Sequence, residues 1–453
     1  MSTTLNPTMR SFFAASGAFR NGEDAPRAFL ERCIESIEAH EPAIGAFVAT
    51  DFGAARAAAD AATERWRASQ TLSPIDGLPI GIKDIMETAD MATEQGSPLF
   101  TGWRGGRDCA AVAALREAGA VIVGKTVTTE FAASQPRGTR NPWDLERTPG
   151  GSSSGSAAAV VMGMVPAALG TQVIGSIVRP ASFCGCFGFK PSVGGINRGG
   201  SFDEFSQSCT GVLAASLAEA WSVARAISAR AGGDPGFAGI VGPTELPAAV
   251  MPTRIAKLET GGWARASDEA KEALTKALDR LADAGIEITD WRSDSLVAEA
   301  ESAIANALET TRSINDWEGR WPLNTYARDM DRAKLSQSAQ DRLAHAESMT
   351  QGDYAALLAE RERIRQTYAR LQGHYDVCVS LSATGAAPPG LGSTGDPVFA
   401  SAASLLGVPA LSLPVLQAES LPLGIQLIGF ANADAAMFAA AAAVSPLTMP
   451  VLK

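Results

Sequence analysis

Short apolar strands alternate with helix-patterned segments at both ends of the chain. Early strand-like segments occupy 44–50 (IGAFVAT), 77–85 (GLPIGIKDI) and 120–126 (AVIVGKT), with helical periodicity between them. The alternation returns near the C-terminus in YDVCVSLSA, PALSLPV and LPLGIQLIGF, and no repeat or long linker divides the chain. This pattern predicts an α/β fold, in which a mixed, mostly parallel β-sheet core is covered by helices on both faces. We expect a single large domain spanning 1–453.

One stretch departs from the alternation. Residues 294–372 are almost wholly helical and charged, with Trp317 and Trp321 in the middle. We expect these helices to form a variable cover that shapes a substrate pocket. Either tryptophan could line that pocket or pack in the core.

Composition argues against several classes of partner. The net charge is −11 and no basic run occurs, which disfavours nucleic acid and anionic membranes as partners. No stretch reaches the ~18 apolar residues of a membrane span, and the longest candidate, 431–444, is typical of a buried helix. Cys184 and Cys186 form a C-x-C without a second pair at zinc-ligand spacing, so a metal site is not expected. The N-terminus makes a poor signal peptide, and we expect a cytoplasmic protein.

The segment GAVIVGKT, 119–126, matches the phosphate-loop pattern G-x-x-x-x-G-K-[ST]. That mechanism needs the four intervening residues to form a loop whose amides face phosphate. Here they are Ala-Val-Ile-Val, which is typical of a strand core. We therefore interpret Lys125 as a structural or surface lysine.

The segment GSSSG, 151–155, matches the nucleophile elbow G-x-S-x-G, with Ser153 in the centre. An elbow requires an apolar strand directly before it and a histidine partner. The preceding residues, TRNPWDLERTP, are polar and contain two prolines. The three histidines, His40, His345 and His374, lie in contexts typical of a helix end or a solvated surface. A Ser-His-Asp site is therefore disfavoured.

Without histidine, the remaining strong base is a lysine that stays neutral. Lysine in water has a pKa near ~10.4, and lowering it by about 3 pH units requires roughly 4 kcal/mol, which burial can supply. Lys83 fits this requirement because it ends the buried strand-like segment GLPIGIK. Asp84 follows it, so the alternative is a lysine at the sheet rim that is paired with Asp84.

Three motifs in order carry a family resemblance. They are GIKDI, PGGSSSGSAAAV and the glycine-rich GTQVIGSIVRPASFCGCFGFKPSVGG of 170–195. Together they resemble the amidase signature family, densely over the signature core 77–211 and across most of the chain except the helical cover. The resemblance implies the amidase signature fold and an amide hydrolase that needs no cofactor or metal.

Carried over to this sequence, the resemblance implies a catalytic triad. Ser176 would be the nucleophile, Ser152 a bridging serine after a cis peptide bond, and Lys83 the ultimate base. Ser153 would support them with its hydroxyl. The oxyanion hole would consist of the backbone amides of Val173, Ile174, Gly175 and Ser176.

The sequence departs from the commonest family pattern G-T-D-x-G-G-S-I-R at three positions. Gln172 replaces the aspartate, Ile174 replaces the first glycine of the pair, and Val178 replaces the arginine, with Arg179 one place later. Since Gln172 is neutral, an ion pair with arginine must be replaced by neutral hydrogen bonds or lost.

Three functions remain in competition. The first is a hydrolase of small-molecule amides, with carbamates and esters as further substrates. Such an enzyme could act as a monomer or as a homo-oligomer. The alternative is the glutamine-hydrolysing subunit of a tRNA-dependent amidotransferase complex, which needs partner subunits. The third is a nucleotide-binding or scaffold protein that keeps the fold without chemistry.

Overall fold

The computed structural model describes residues 5–203 and 205–448. Its strands are β1 (Phe47–Thr50), β2 (Pro79–Lys83), β3 (Val121–Thr126), β4 (Ala167–Gln172), β5 (Phe187–Lys190), β6 (Cys209–Ala214), β7 (Arg254–Lys257), β8 (Glu287–Thr289), β9 (Val377–Leu381), β10 (Ala410–Ala418) and β11 (Leu421–Ile428). Its α-helices are α1 (Phe12–Asn21), α2 (Pro26–Ile44), α3 (Phe52–Arg67), α4 (Ala110–Glu117), α5 (Ser154–Val161), α6 (Val178–Cys184), α7 (Leu217–Ala231), α8 (Asp268–Asp283), α9 (Ser295–Ile304), α10 (Ala307–Asp329), α11 (Gln337–Ser348), α12 (Gln351–Ala369), α13 (Val398–Leu406) and α14 (Asp434–Thr448).

All the described strands belong to one mixed sheet of 11 strands, in the order β1-β3-β2-β4-β6-β5-β10-β11-β9-β7-β8. This confirms the predicted single α/β domain with a mixed sheet. The expectation of a mostly parallel sheet is wrong. Only β2–β3, β2–β4, β7–β8 and β7–β9 are parallel in the described part of the chain, because β5, β6, β10 and β11 form antiparallel neighbours in the centre.

Helices cover both faces of the sheet, as predicted. Side chains alternate between the faces of a strand, and in β4 Leu169 packs into a core shared with α4, α7, α8 and α14. Its neighbour Ala168 points to the other face, into a core shared with α2, α3 and α5. A third core lies under α9, α12 and α13. Among the described residues, no helix is both long and apolar enough to cross a bilayer.

The parallel trio β3-β2-β4 positions the candidate site. Ile82 pairs with Lys125 of β3 and with Leu169 of β4. Because parallel strands run in one direction, β2 and β4 end at the same edge of the sheet. Lys83 is the last residue of β2 and Gln172 the last of β4.

The glycine-rich segment 170–195 contains regular elements that its composition does not indicate. The glycine-rich region contains the end of β4, the short helix α6 and strand β5. Both strands are fully buried, and β4 (AALGTQ) consists largely of small residues. Two-sided burial removes the polar-apolar alternation that reveals a strand, and Pro180 within α6 hides the helix.

Candidate active site

Lys83 lies at the centre of the site with its side chain fully buried. Its Nζ lies 2.7 Å from Oγ of Ser152 and 2.8 Å from Oγ1 of Thr171. Burial lowers the pKa of Lys83 to about 7, although the negative charge of Asp203 opposes this change. A substantial fraction of Lys83 is therefore a neutral amine near neutral pH. Such an amine can accept a proton from the serine hydroxyl that it contacts.

Lys83 does not pair with Asp84, so the alternative of a rim lysine is wrong. Successive residues of a strand point to opposite faces, and the carboxylate of Asp84 lies 3.0 Å from Nζ of Lys125 instead. Lys125 also donates to the hydroxyl of Thr93 at 2.6 Å. Lys125 is thus a buried structural lysine at the end of β3, and the phosphate-loop match is a strand as predicted.

The serine loop carries Ser152 to Lys83. The Gly151–Ser152 peptide bond is cis, as the resemblance implies. Arg179 donates to the carbonyl of Gly151 at 2.6 Å. The amide of Ser153 donates to the carbonyl of Ser176 at 3.3 Å, which ties the two loops together.

Ser153 is not at the tip of an elbow. Among the described residues no strand lies directly before the loop, since β3 ends at Thr126, and helix α5 begins immediately after Ser153. Its Oγ donates to the carbonyl of Thr171 at 3.3 Å. Ser153 therefore packs the serine loop against the end of β4.

The loop 173–176 presents free backbone donors. Within the described part of the chain, no protein acceptor binds the amides of Val173, Ile174, Gly175 or Ser176. All four residues line a cavity of about 460 Å³, together with Ser152 and Thr171. Ser176 lines the cavity although the residue is only 7% exposed. Such a row of amides can stabilise a negatively charged oxygen.

Gln172 holds the start of α6 by neutral hydrogen bonds. Its Oε1 accepts from the amides of Ile177 at 2.9 Å and Val178 at 3.0 Å. Its Nε2 donates to Oγ of Ser404 at 3.1 Å. Of the two outcomes expected for the missing aspartate, replacement by neutral hydrogen bonding is the one observed.

Arg179 is buried beside the cavity and contacts neutral acceptors. It donates to the carbonyls of Gly395 at 2.8 Å and Gly151, and to the hydroxyl of Thr394 at 3.0 Å. Burial lowers its pKa to about 10, so the guanidinium remains charged at neutral pH. It thus braces the serine loop against the loop before α13.

The helical cover contributes polar residues to the cavity wall, namely Arg312, Asn315, Asp316, Ser338 and Arg342. Neither tryptophan belongs to that wall. Trp317 stacks on Tyr354 with 5.6 Å between ring centroids, and Trp321 is 71% exposed. Of the two alternatives for the tryptophans, lining of the pocket is therefore wrong for both, and packing in the core is wrong for Trp321.

None of the three histidines lines the cavity, although His345 contacts the wall residue Asp316. His345 is half exposed and its Nδ1 lies 2.8 Å from the carboxylate of Asp316. His374 is exposed in the turn before β9, and His40 is partly exposed on α2. These positions match the surface contexts that the sequence predicted.

Two residues of the site were missed from the sequence. Thr171 is the second contact of Lys83. Asp203 is buried in the cavity wall and accepts from the hydroxyls of Ser201 at 2.6 Å and Ser208 at 3.0 Å. Thr171 could have been found, because it precedes Gln172 in the glycine-rich motif, whereas Asp203 lies in a loop with no motif.

The chain is similar to known proteins along most of its length. A family model described as Amidase matches residues 28–438. A glutamyl-tRNA(Gln) amidotransferase subunit of Anaeromyxobacter sp. (strain K) is 32% identical over 93% of this chain and 93% of that protein. The protein of the same name from Chloroflexus aggregans is 46% identical, but over 41% of this chain and 40% of its own length.

Solved structures show the same architecture. A structure described as an amidase has a TM-score of 0.81 at 28% identity and covers 95% of this chain and 98% of that chain. The peptide amidase of Stenotrophomonas maltophilia has a TM-score of 0.75 at 26% identity, with 95% of each chain covered. Fold and family model together define a hydrolase of the amidase class. The chain belongs to the amidase signature family.

Proposed function

We propose that this protein hydrolyses the C–N bond of small-molecule amides through an acyl-enzyme on Ser176, with carbamates and esters as further substrates. The observation that carries the proposal is the contact between the buried amine of Lys83 and Oγ of Ser152, in a cavity that Ser176 shares. A neutral lysine supplies the base that the chain otherwise lacks.

In the first step, Oγ of Ser176 attacks the substrate carbonyl carbon. Its proton passes to Ser152, and the proton of Ser152 passes to Nζ of Lys83. The carbonyl oxygen becomes an oxyanion, which the free amides of 173–176 stabilise. Each such donor typically contributes ~2.7–4 kcal/mol to the transition state.

In the second step, the C–N bond breaks and the relay runs backwards. Lys83 returns its proton to Ser152, and Ser152 gives its proton to the departing nitrogen, which leaves as a neutral amine. Water then attacks the acyl-enzyme with the same base, and releases the acid and free Ser176. Every proton that leaves a nucleophile is returned to the leaving group, so no cofactor or metal enters the proposal.

The size of the cavity supports a small substrate. The six free buried cysteines support a cytoplasmic location as a further part of this proposal. The second candidate is a glutamine-hydrolysing subunit that works with partner proteins. It is favoured by the amidotransferase subunits that align with 93% of this chain. Arg179 and the free oxyanion amides would serve either function.

A substrate panel on the purified chain separates the candidates. We expect turnover of a chromogenic anilide without any partner, with carbamates and esters measured in parallel. Turnover of glutamine only after partner subunits are added would support the second candidate. Ser176→Ala should abolish turnover, whereas the matched control Ser154→Ala should retain it. Within the described part of the chain, the hydroxyl of Ser154 makes a hydrogen bond only to the carbonyl of Val127, at 3.4 Å.

An inert protein remains the third outcome. If fluorophosphonate serine probes do not label the folded chain, the hydrolase proposal fails and a scaffold role gains support.

A further inference from the structure

Helix α13 lies directly behind the loop 173–176, although 230 residues separate them in the sequence. A β-carbon at Gly175 would lie 3.0 Å from Pro397 and 3.2 Å from Ala400. Ser404 follows Ala400 by four residues and therefore lies on the same face of the helix. Its side chain is fully buried at this contact.

Ser404 connects two groups of the loop. Its Oγ donates to the carbonyl of Ile174 at 2.8 Å and accepts from Nε2 of Gln172 at 3.1 Å. The single hydroxyl hydrogen is committed to Ile174, because Gln172 supplies the other hydrogen of the pair. The neutral amide of Gln172 therefore fixes the direction of both hydrogen bonds, from Gln172 to Ser404 and from Ser404 to Ile174.

The position of the Ile174 carbonyl fixes the direction of the next amide. A trans peptide is planar, and its C=O and N–H point in opposite directions. The Ile174–Gly175 peptide is not one of the two cis bonds of the described chain, Gly151–Ser152 and Trp321–Pro322. A carbonyl anchored on Ser404 therefore directs the N–H of Gly175 away from α13.

We propose that Ser404, aligned by Gln172, is a positioning residue that holds the Gly175 N–H in the direction of the substrate oxyanion. This inference rests on the proposed function of the 173–176 amides as an oxyanion hole. Ser404 touches no reacting atom and acts only through the peptide of Ile174 and Gly175.

The test measures how fast a fluorophosphonate modifies Ser176, since its phosphoryl oxygen requires the same donors as an oxyanion. Ser404→Ala removes the anchor, and we expect the rate of modification at saturating probe, kinact, to fall about tenfold or more, with KI little changed. This effect is smaller than the ~10²–10³ typical of complete removal of one donor, because the amide remains present but loses its alignment. For an anilide, kcat should fall while KM stays nearly constant.

A second variant removes the same bond without creating a cavity. In Gln172→Glu, one carboxylate oxygen can still accept from Ile177 and Val178. The other attracts the Ser404 hydroxyl hydrogen, because a charged acceptor binds it more strongly than a carbonyl does. Ile174 then loses its donor, and kinact should fall as in Ser404→Ala. The double variant should be no slower than Ser404→Ala alone, since both act through one bond.

Ser401→Ala is the matched control. Ser401 is buried on the same helix, but its hydroxyl donates at 2.7 Å to the carbonyl of Val398. We expect its kinact to stay within twofold of the original protein. If folded Ser404→Ala or Gln172→Glu modifies at the original rate, the inference is overturned. If the original protein itself resists modification, the proposed function has failed instead.

Discussion

Replacement of Lys83 by methionine should change how stability depends on pH. The folded protein holds this lysine with a pKa of about 7, against 10.5 for the free side chain. Between these values the unfolded chain binds one more proton than the folded chain. Stability therefore rises with pH in this window. Below about pH 7 both states are protonated at this site, and its contribution to the slope vanishes.

The expected size follows from the same two values. Each pH unit contributes up to about 1.4 kcal/mol. From pH 7 to pH 9 the original protein should gain about 2 kcal/mol of unfolding free energy relative to Lys83→Met. The variant also loses the contacts of Nζ with Ser152 and Thr171. That loss is independent of pH in this range. It shifts the variant's curve of unfolding free energy against pH by a constant amount and leaves the difference in slope unchanged.

Urea unfolding at pH 5.5, 7, 8 and 9, followed by circular dichroism, measures the difference. Other titrating groups cancel when the two proteins are compared. Lys276→Met, at an exposed lysine of α8, is the control and should run parallel to the original protein. If the Lys83→Met and original curves also run parallel from pH 7 to pH 9, Lys83 is not held neutral by the fold.

Three further predictions concern activity. First, kcat/KM should rise with pH and reach a plateau above about pH 7, the pKa of Lys83. Two pH units below that pKa it should be about 100-fold lower than the plateau. A flat profile down to pH 5 would contradict a neutral base. Second, Lys83→Ala should reduce anilide cleavage more than cleavage of the matched ester, because an ester leaving group needs less protonation, and equal losses would argue against the relay. Third, Asp203→Asn should shift the rise of the pH profile to lower pH, because the charge of Asp203 raises the pKa of Lys83; an unchanged midpoint would exclude that influence.

The burial of Lys83 could be predicted from the sequence because it depends on local pattern. An apolar run that ends in lysine places the amine at the end of a buried strand, and the structure has this arrangement. The positions of Ser152 and Ser176 came from the family resemblance and not from pattern. Their roles remain predictions until tested.

Other features depend on contacts between distant parts of the chain and left no local signal. The antiparallel centre of the sheet arises because β10 inserts between β5 and β11, more than 200 residues after β5. Ser404 meets Ile174 only when α13 packs behind the loop. Trp317 stacks on Tyr354 of α12 instead of lining the cavity, and sequence periodicity does not identify this partner.

The most direct test of the proposed chemistry is to trap the acyl-enzyme. The purified chain is mixed with a p-nitrophenyl ester, quenched in acid during turnover, digested and mapped by mass spectrometry. We predict one acyl group on Ser176, absent from Ser176→Ala. An acyl group on Ser152 or Ser153, or turnover with unmodified Ser176, would contradict the assignment of the nucleophile.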